Sequence, residues 1–261
     1  MKKLMFAAAA IAAGVAVADV TSANVVGYAG QNLLTDGDQK FVSSQFVKVG
    51  DNEGEISIQE LTPPADWIET AADAGLSLSE LGGGGETVGW FVWTFCEDAE
   101  KFGWMDMMSG NYEYATKTFL PGAAFWALNE GEDVYPIQSA GEVCKASVQV
   151  ELLTDGDQRA VANPFPVAIS VQDVTPDDAE VAADAGLSMS ILGAGGETVG
   201  WFVWTFCEDA EKFGWMDMMS GNYEYATATI DPGEGTWVLN EGEDATVLTI
   251  DPPASIQALA N

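Results

Sequence analysis

Histidine is absent from all 261 residues. That removes Ser-His and Cys-His nucleophilic pairs and every imidazole metal ligand. Basic residues are scarce: 9 Lys and Arg stand against 41 Asp and Glu, a formal net charge of −32. Such a surface repels nucleic acid and anionic lipid, and favours divalent cations or a salty medium. Screening at physiological salt reaches about 8 Å, so neighbouring carboxylates still sense one another. Two readings stay open, adaptation to high salt and a calcium-rich cell-surface role. Cysteine is limited to Cys96, Cys144 and Cys207. One disulfide plus a free thiol, or three free thiols, both fit that count. Cys96 and Cys207 each precede a Glu-Asp pair, whose charge opposes thiolate formation and reactive chemistry. Beyond the first residues, no apolar run is long enough for a membrane helix.

The chain starts with Lys2 and Lys3, continues through an apolar run over residues 5–15, and reaches Ala16-Val17-Ala18 before Asp19. This pattern predicts a secretory signal peptide over residues 1–18, with an apolar run too short to span a bilayer. The mature protein is expected in the periplasm, at the cell surface or outside the cell. With 48% of its residues apolar, it has the material for a core and does not read as disordered.

Residues 84–116 recur letter for letter as residues 195–227. The match extends outward: residues 33–39 align with 152–158, 56–59 with 169–172, and 71–75 with 182–186. A repeat of this length suggests two whole domains rather than a solenoid. The expected domains are 19–145 and 146–261. The second copy is shorter near residues 48–54 and 65–70, which reads as length change in surface loops.

Within each copy the signals favour strands. Residues 87–94 are β-branched and aromatic, with Val88, Trp90 and Val92 on one face and Phe91 and Trp93 on the other; apolar residues on both faces predict a central strand. Residues 102–107 and 112–116 read as a hairpin around Ser109-Gly110-Asn111. Strands are also expected over 123–128, 134–143, 236–239 and 246–250. Short helices are expected over 57–61 and 71–81, with Gly82 to Gly85 ending the second as a flexible connection. The fold class is mainly β: two tandem homologous β-sandwich or barrel-like domains with short helices.

Three stretches carry a resemblance. They are Ser22-Ala23-Asn24-Val25-Val26-Gly27-Tyr28, then Ala162-Asn163-Pro164-Phe165-Pro166, and Pro121-Gly122-Ala123-Ala124-Phe125-Trp126 followed by Ala140-Gly141-Glu142-Val143. The chain resembles secreted, uncharacterised repeat proteins of verrucomicrobial-type Gram-negative bacteria whose mature chains start SANVVGY. It departs from them in its acidity and in Thr236-Trp237, where Phe-Trp is expected. The resemblance implies export and doubled β-rich units, and no activity.

Two sets of candidate ligands stand out. Asp36, Asp38, Asp155 and Asp157 flank Asp-Gly-Asp turns and are candidate calcium ligands. Calcium takes six to eight oxygens, and a plain turn accounts for the motif equally. The turns 129–133 and 240–244 are further acidic turns of the same kind, and the acidic segment 97–100 reads as a solvated loop cap. Tyr112, Tyr114, Tyr223 and Tyr225 alternate with Glu113 and Glu224; an exposed tyrosine face of this kind is a candidate glycan platform. Trp90, Trp126, Trp201 and Trp237 read as core. The Met105, Met107 and Met108 cluster reads as packing. No spacing selects a catalytic carboxylate pair, and the glycine run lacks the Lys-Ser/Thr of a phosphate loop.

These readings converge on a secreted, non-enzymatic structural or interaction protein of the cell envelope or extracellular matrix. The alternative is a carbohydrate-binding protein using exposed aromatic faces, and a hydrolase comes third. The expected partners are cell-surface or matrix components, without nucleic acid and without a membrane span. No cofactor is implied beyond candidate calcium.

Overall fold

The computed structural model describes residues 26–33, 37–47, 54–154 and 156–260. The expected signal peptide, most of the 48–54 loop, Asp36 and Asp155 lie outside them. The first half runs β1 (Val26–Leu33), β2 (Asp38–Val42), β3 (Phe46–Val47), β4 (Ile56–Ser57), α1 (Ile68–Asp73), β5 (Ser77–Leu81), β6 (Thr87–Cys96), β7 (Lys101–Asp106), β8 (Glu113–Tyr114), β9 (Thr118–Phe119), β10 (Phe125–Asn129) and β11 (Tyr135–Val143). The second runs β12 (Val148–Leu152), β13 (Asp157–Ala162), β14 (Ile169–Ser170), β15 (Val174–Pro176), α2 (Ala179–Asp184), β16 (Ser188–Leu192), β17 (Thr198–Cys207), β18 (Lys212–Asp217), β19 (Glu224–Tyr225), β20 (Thr229–Ile230), β21 (Gly235–Asn240), β22 (Thr246–Ile250) and α3 (Ala254–Gln257). The fold is mainly β with a few short helices.

The two halves build the same large sheet. A six-stranded sheet, β2-β10-β5-β6-β7-β8, is matched by β13-β21-β16-β17-β18-β19. The small sheets share one pair, β1-β11 matched by β12-β22, but differ in the third strand: β3 joins β11 at Glu142 and Val143, whereas β15 joins β22 at residues 248–250. In the first half, Leu33 and Ile137 of the small sheet share one apolar cluster with Leu78, Phe91 and Phe125 of the large one. The indole of Trp104 is fully buried there and meets Trp93 edge-on at 5.3 Å. Its N–H donates to the Leu61 carbonyl, as that of Trp215 donates to Val174 at 2.7 Å. A buried indole needs such a partner, because an unmet N–H there costs on the order of 1–3 kcal/mol.

The strand pattern corrects one expectation. Residues 71–81 do not form one helix: α1 ends at Asp73, and Ser77–Leu81 is β5. Gly75 sits at φ 69, a left-handed position that stops the helix. The Ser-Leu-Ser-Glu-Leu alternation then has the period of a strand. The glycines from Gly82 to Gly85 form a hydrogen-bonded turn rather than a loose connection. Gly82 N–H donates to Glu86 O at 2.7 Å, and Gly85 N–H to Gly82 O at 2.9 Å.

The halves meet through reciprocal bonds. Gln39 N–H donates to Ala194 O, and its counterpart Gln158 N–H donates to Gly83 O, both at 2.8 Å. Ser43 N–H donates to Gly233 O at 3.0 Å, and Ala162 N–H to Gly122 O at 2.8 Å. Each bond has a mate under exchange of the halves, the signature of an isologous interface drawn within one chain. Side chains cross the boundary as well. Phe46, Val47, Val143 and Cys144 belong to the apolar cluster of the second half. Phe41, 3% exposed, stacks on Trp237 of the other half at 5.6 Å and meets Trp126 edge-on at 4.8 Å.

Two substitutions should rank accordingly in urea denaturation. Phe41→Ala removes a buried ring at the junction and should cost about 3 kcal/mol. Asp178 caps α2 by accepting from Glu180 N–H and Val181 N–H, both at 3.1 Å, and Asp178→Ala should cost about 1 kcal/mol. A Phe41→Ala loss no larger than the cap loss would mean that the junction contributes little to stability.

Candidate binding surface

The outer face of each six-stranded sheet is set by the pleat of its central strand. In β6, Phe91 and Trp93 point into the core, so Trp90 points outward. Cross-strand pairing then lines up one row: Trp90 opposite Ser79, Ser79 opposite Trp126, and Trp126 opposite Phe41. At one end the row is buried in the junction between the halves. At the other it reaches solvent, where Trp90 is 43% exposed beside the exposed Val88. The second half repeats this with Trp201, also 43% exposed, and Val199.

The core assignment of Trp90 and Trp201 is therefore overturned. The core side of the strand is already filled by Phe91, Trp93 and Trp104. With apolar residues on both faces, the sequence pattern does not say which face turns inward. Trp126 and Trp237 are half-buried at the junction rather than inside either sheet stack. Their indole N–H groups donate to Gln39 Oε1 at 2.9 Å and Gln158 Oε1 at 2.6 Å. Each ring edge lies close to a glycine of the opposite half, Gly196 and Gly85 respectively.

The four tyrosines do not form two-residue faces. Tyr114 belongs to β8 and pairs with Met105. Its ring covers Gly103, where a Cβ would collide with it, and Lys101 Nζ lies 4.1 Å from the ring centroid. Tyr225 repeats this, with Lys212 at 4.4 Å. These rings already have a cation as partner. Tyr112 and Tyr223 lie outside the strands at φ 55 and φ 56, which breaks the alternation. The turn before them is wound by Asp106, whose Oδ1 accepts from Met108 N–H at 2.8 Å and Ser109 N–H at 3.0 Å. Tyr112 projects, 57% exposed, from its end.

The acidic turns act largely on their own backbones. Asp38 and Asp157 are buried. Asp157 Oδ2 accepts from Leu153 N–H at 2.7 Å and from Arg159 Nε at 3.0 Å, while Lys40 Nζ lies 3.7 Å from Asp38. Their motif partners, Asp36 and Asp155, lie outside the described residues. In the turn 129–133, the buried Asn129 amide donates to Asp133 O at 2.8 Å and accepts from Gly131 N–H at 3.0 Å. Asn240 repeats both bonds. Asp98 accepts from Tyr114 N–H at 2.9 Å. Among the described residues, no group of three or more acid or thiol ligands gathers around one point.

The thiols are equally settled. Cys96, Cys144 and Cys207 are all buried and form no disulfide with one another. Burial pushes the Cys96 and Cys207 thiols up, Asp98 and Asp209 push them further, and Lys101 and Lys212 oppose. Each of these two thiols also lies within reach of carbonyl acceptors, Thr94 and Gly103 in the first half. An aromatic disulfide reagent should leave all three unmodified in the native protein and titrate three after urea. Rapid native labelling of Cys96 or Cys207 would contradict this placement. No family model, characterised protein or solved structure matches this chain.

Proposed function

We propose that this chain is a secreted, non-enzymatic interaction protein of the cell envelope or extracellular matrix, and that it binds through two copies of one aromatic sheet face. The observation that carries this reading is the paired exposure of Val88 with Trp90 and of Val199 with Trp201. Large apolar side chains grouped on a solvated sheet face are typical of contact surfaces, and tryptophan is enriched where partners meet. On a chain of net charge −32, long-range repulsion keeps copies apart, so these faces are available to a partner of another kind. Two equal faces on one chain give bivalent attachment, in which the second contact forms at the high local concentration set by the first.

A glycan partner is the second reading. It is favoured by the exposed indole of Trp90 and the exposed phenol ring of Tyr112, flat surfaces of the kind that stack on sugar rings. Export follows the N-terminal pattern of residues 1–18, and the resemblance carried by residues 22–28 points the same way.

Co-sedimentation with purified peptidoglycan, chitin and cellulose, and with envelope fragments stripped of polysaccharide, separates the two readings. Trp90→Ala and Trp201→Ala should each weaken binding, and the double variant should weaken it by far more than either one, as bivalency requires. Tyr112→Ala should matter only if the partner is a polysaccharide. Undiminished binding by the double variant would rule out the tryptophan faces.

A further inference from the structure

A groove of about 800 Å³ opens at the junction of the two halves, bordering the Trp201 face through Val199 but lined by neither Trp90 nor Trp201. Its walls come from both halves. Lys40 and Phe41 of β2 stand on one side. Ile191 of β16, Val199 of β17 and the turn carrying Asp231 and Glu234 stand on the other. The size is that of a small-molecule site, and such sites favour boundaries between structural units.

The groove belongs to one side of an otherwise repeated molecule. Of these six residues, only Val199 lies in the block repeated letter for letter. The first-half residues that match Ile191, Asp231 and Glu234 are Glu80, Leu120 and Ala123, and Phe41 is matched by Ala160. Glu80 is held by Lys117 at 2.7 Å. The second half thus replaces an ion pair with apolar Ile191 and Ala228, and places two new acids on the facing turn.

The chemistry of the groove is that of a cation site with apolar walls. Glu234 accepts from Asp231 N–H at 2.9 Å. Burial is the largest influence on its carboxyl and pushes the pKa up. The Asp231 N–H opposes this, the Asp231 charge adds to it, and Lys40 opposes it again. Among the described residues Lys40 is the one basic group on the groove wall, and its amine lies 3.7 Å from the Asp38 carboxylate. Two carboxylates therefore face a lysine already close to an acid of its own. An ammonium nitrogen would add positive charge beside the half-buried Glu234 carboxylate, whose burial Lys40 offsets only in part. We propose that this groove binds a small organic ammonium ion, with its nitrogen between Asp231 and Glu234 and its apolar body against Phe41, Ile191 and Val199.

Calorimetric titration of the full chain tests this, with 2-phenylethylammonium as the probe. Two controls split its features: 2-phenylethanol keeps the body without the charge, and tetramethylammonium keeps the charge without the body. Saturable binding of the probe, with both controls weaker by about tenfold or more, is the expected result. Affinity should rise with pH while Glu234 ionises and then level off, since only the carboxylate attracts the cation. Asp231→Leu combined with Glu234→Ala gives this turn the residues of the first half, and should weaken the probe by about tenfold or more. Glu234→Gln retains an acceptor for Asp231 N–H; it should weaken binding and abolish the pH step, and it serves if the double variant fails to fold. A leucyl dipeptide amide asks about the source. Its binding alongside the free amine identifies a peptide terminus, and binding of the free amine alone identifies a small metabolite-like amine. Equal affinity for the alcohol, no saturable binding of the ammonium, or an unchanged Glu234→Gln variant would overturn the proposal. Trp90→Ala and Trp201→Ala should bind the probe normally, so failure here and failure of the sheet-face reading are distinguishable.

Discussion

The junction between β2 and β13 is the constraint on which the rest of the molecule depends. Both strands are the outermost members of six-stranded sheets, and an edge strand carries N–H groups that would otherwise invite another chain. Here the N–H groups of Gln39, Ser43, Gln158 and Ala162 are met by carbonyls of Ala194, Gly233, Gly83 and Gly122 from the opposite half. Each half closes the open edge of the other. The far edges, β8 and β19, are only two residues long, which leaves little template for unwanted pairing. Edge protection of this kind suits a covalent tandem. The linker over residues 144–147 holds the second edge at hand, so closure does not depend on protein concentration.

The same junction decides where the aromatics go. A row from Phe41 through Trp126 and Ser79 to Trp90 runs from a sealed end to an open one. At the covered end Phe41 stacks on Trp237, and a glycine of the opposite half lies against each indole. Closing one end leaves Trp90 and Trp201 at the other with nothing from their own chain to cover them fully. Exposure there is a consequence of the architecture, and a binding role for these faces would use a surface that the fold already provides.

Much of this was legible in the sequence. The duplication, the β character and the hairpin of β7 and β8 follow from exact repetition, β-branched and aromatic runs, and a Ser-Gly-Asn turn. Three features were not legible, each for a physical reason. Trp90 and Trp93 both belong to apolar stripes, and the choice of inner face depends on what the neighbouring sheet supplies. Residues 77–81 adjoin a true helix, so local propensity alone extends that helix until Gly75 is seen to end it. Tyr112 and Tyr114 alternate in sequence, yet a left-handed residue at the head of a short strand puts them out of phase. The groove left a fainter signal, in that its residues lie where the two copies disagree.

That disagreement has a steric logic. Near a two-fold axis, a large side chain and its own copy compete for the same space, so exact symmetry favours small residues at both positions. Divergence after duplication lifts that restriction. Phe41 lies against Gly235, whose own Cβ would sit 2.5 Å from the Phe41 Cβ. In the mirrored place the smaller Ala160 is matched with Ala124 instead of glycine. Large against none on one side and small against small on the other keep the total volume similar, the arrangement that packed cores tolerate best. Gly83 and Ala194 divide in the same way: a Cβ on Gly83 would collide with Asp157, whereas Ala194 already carries one in the equivalent position near Lys40. The side that takes the ring is also the side that opens into the groove, where Asp231 and Glu234 stand near Phe41.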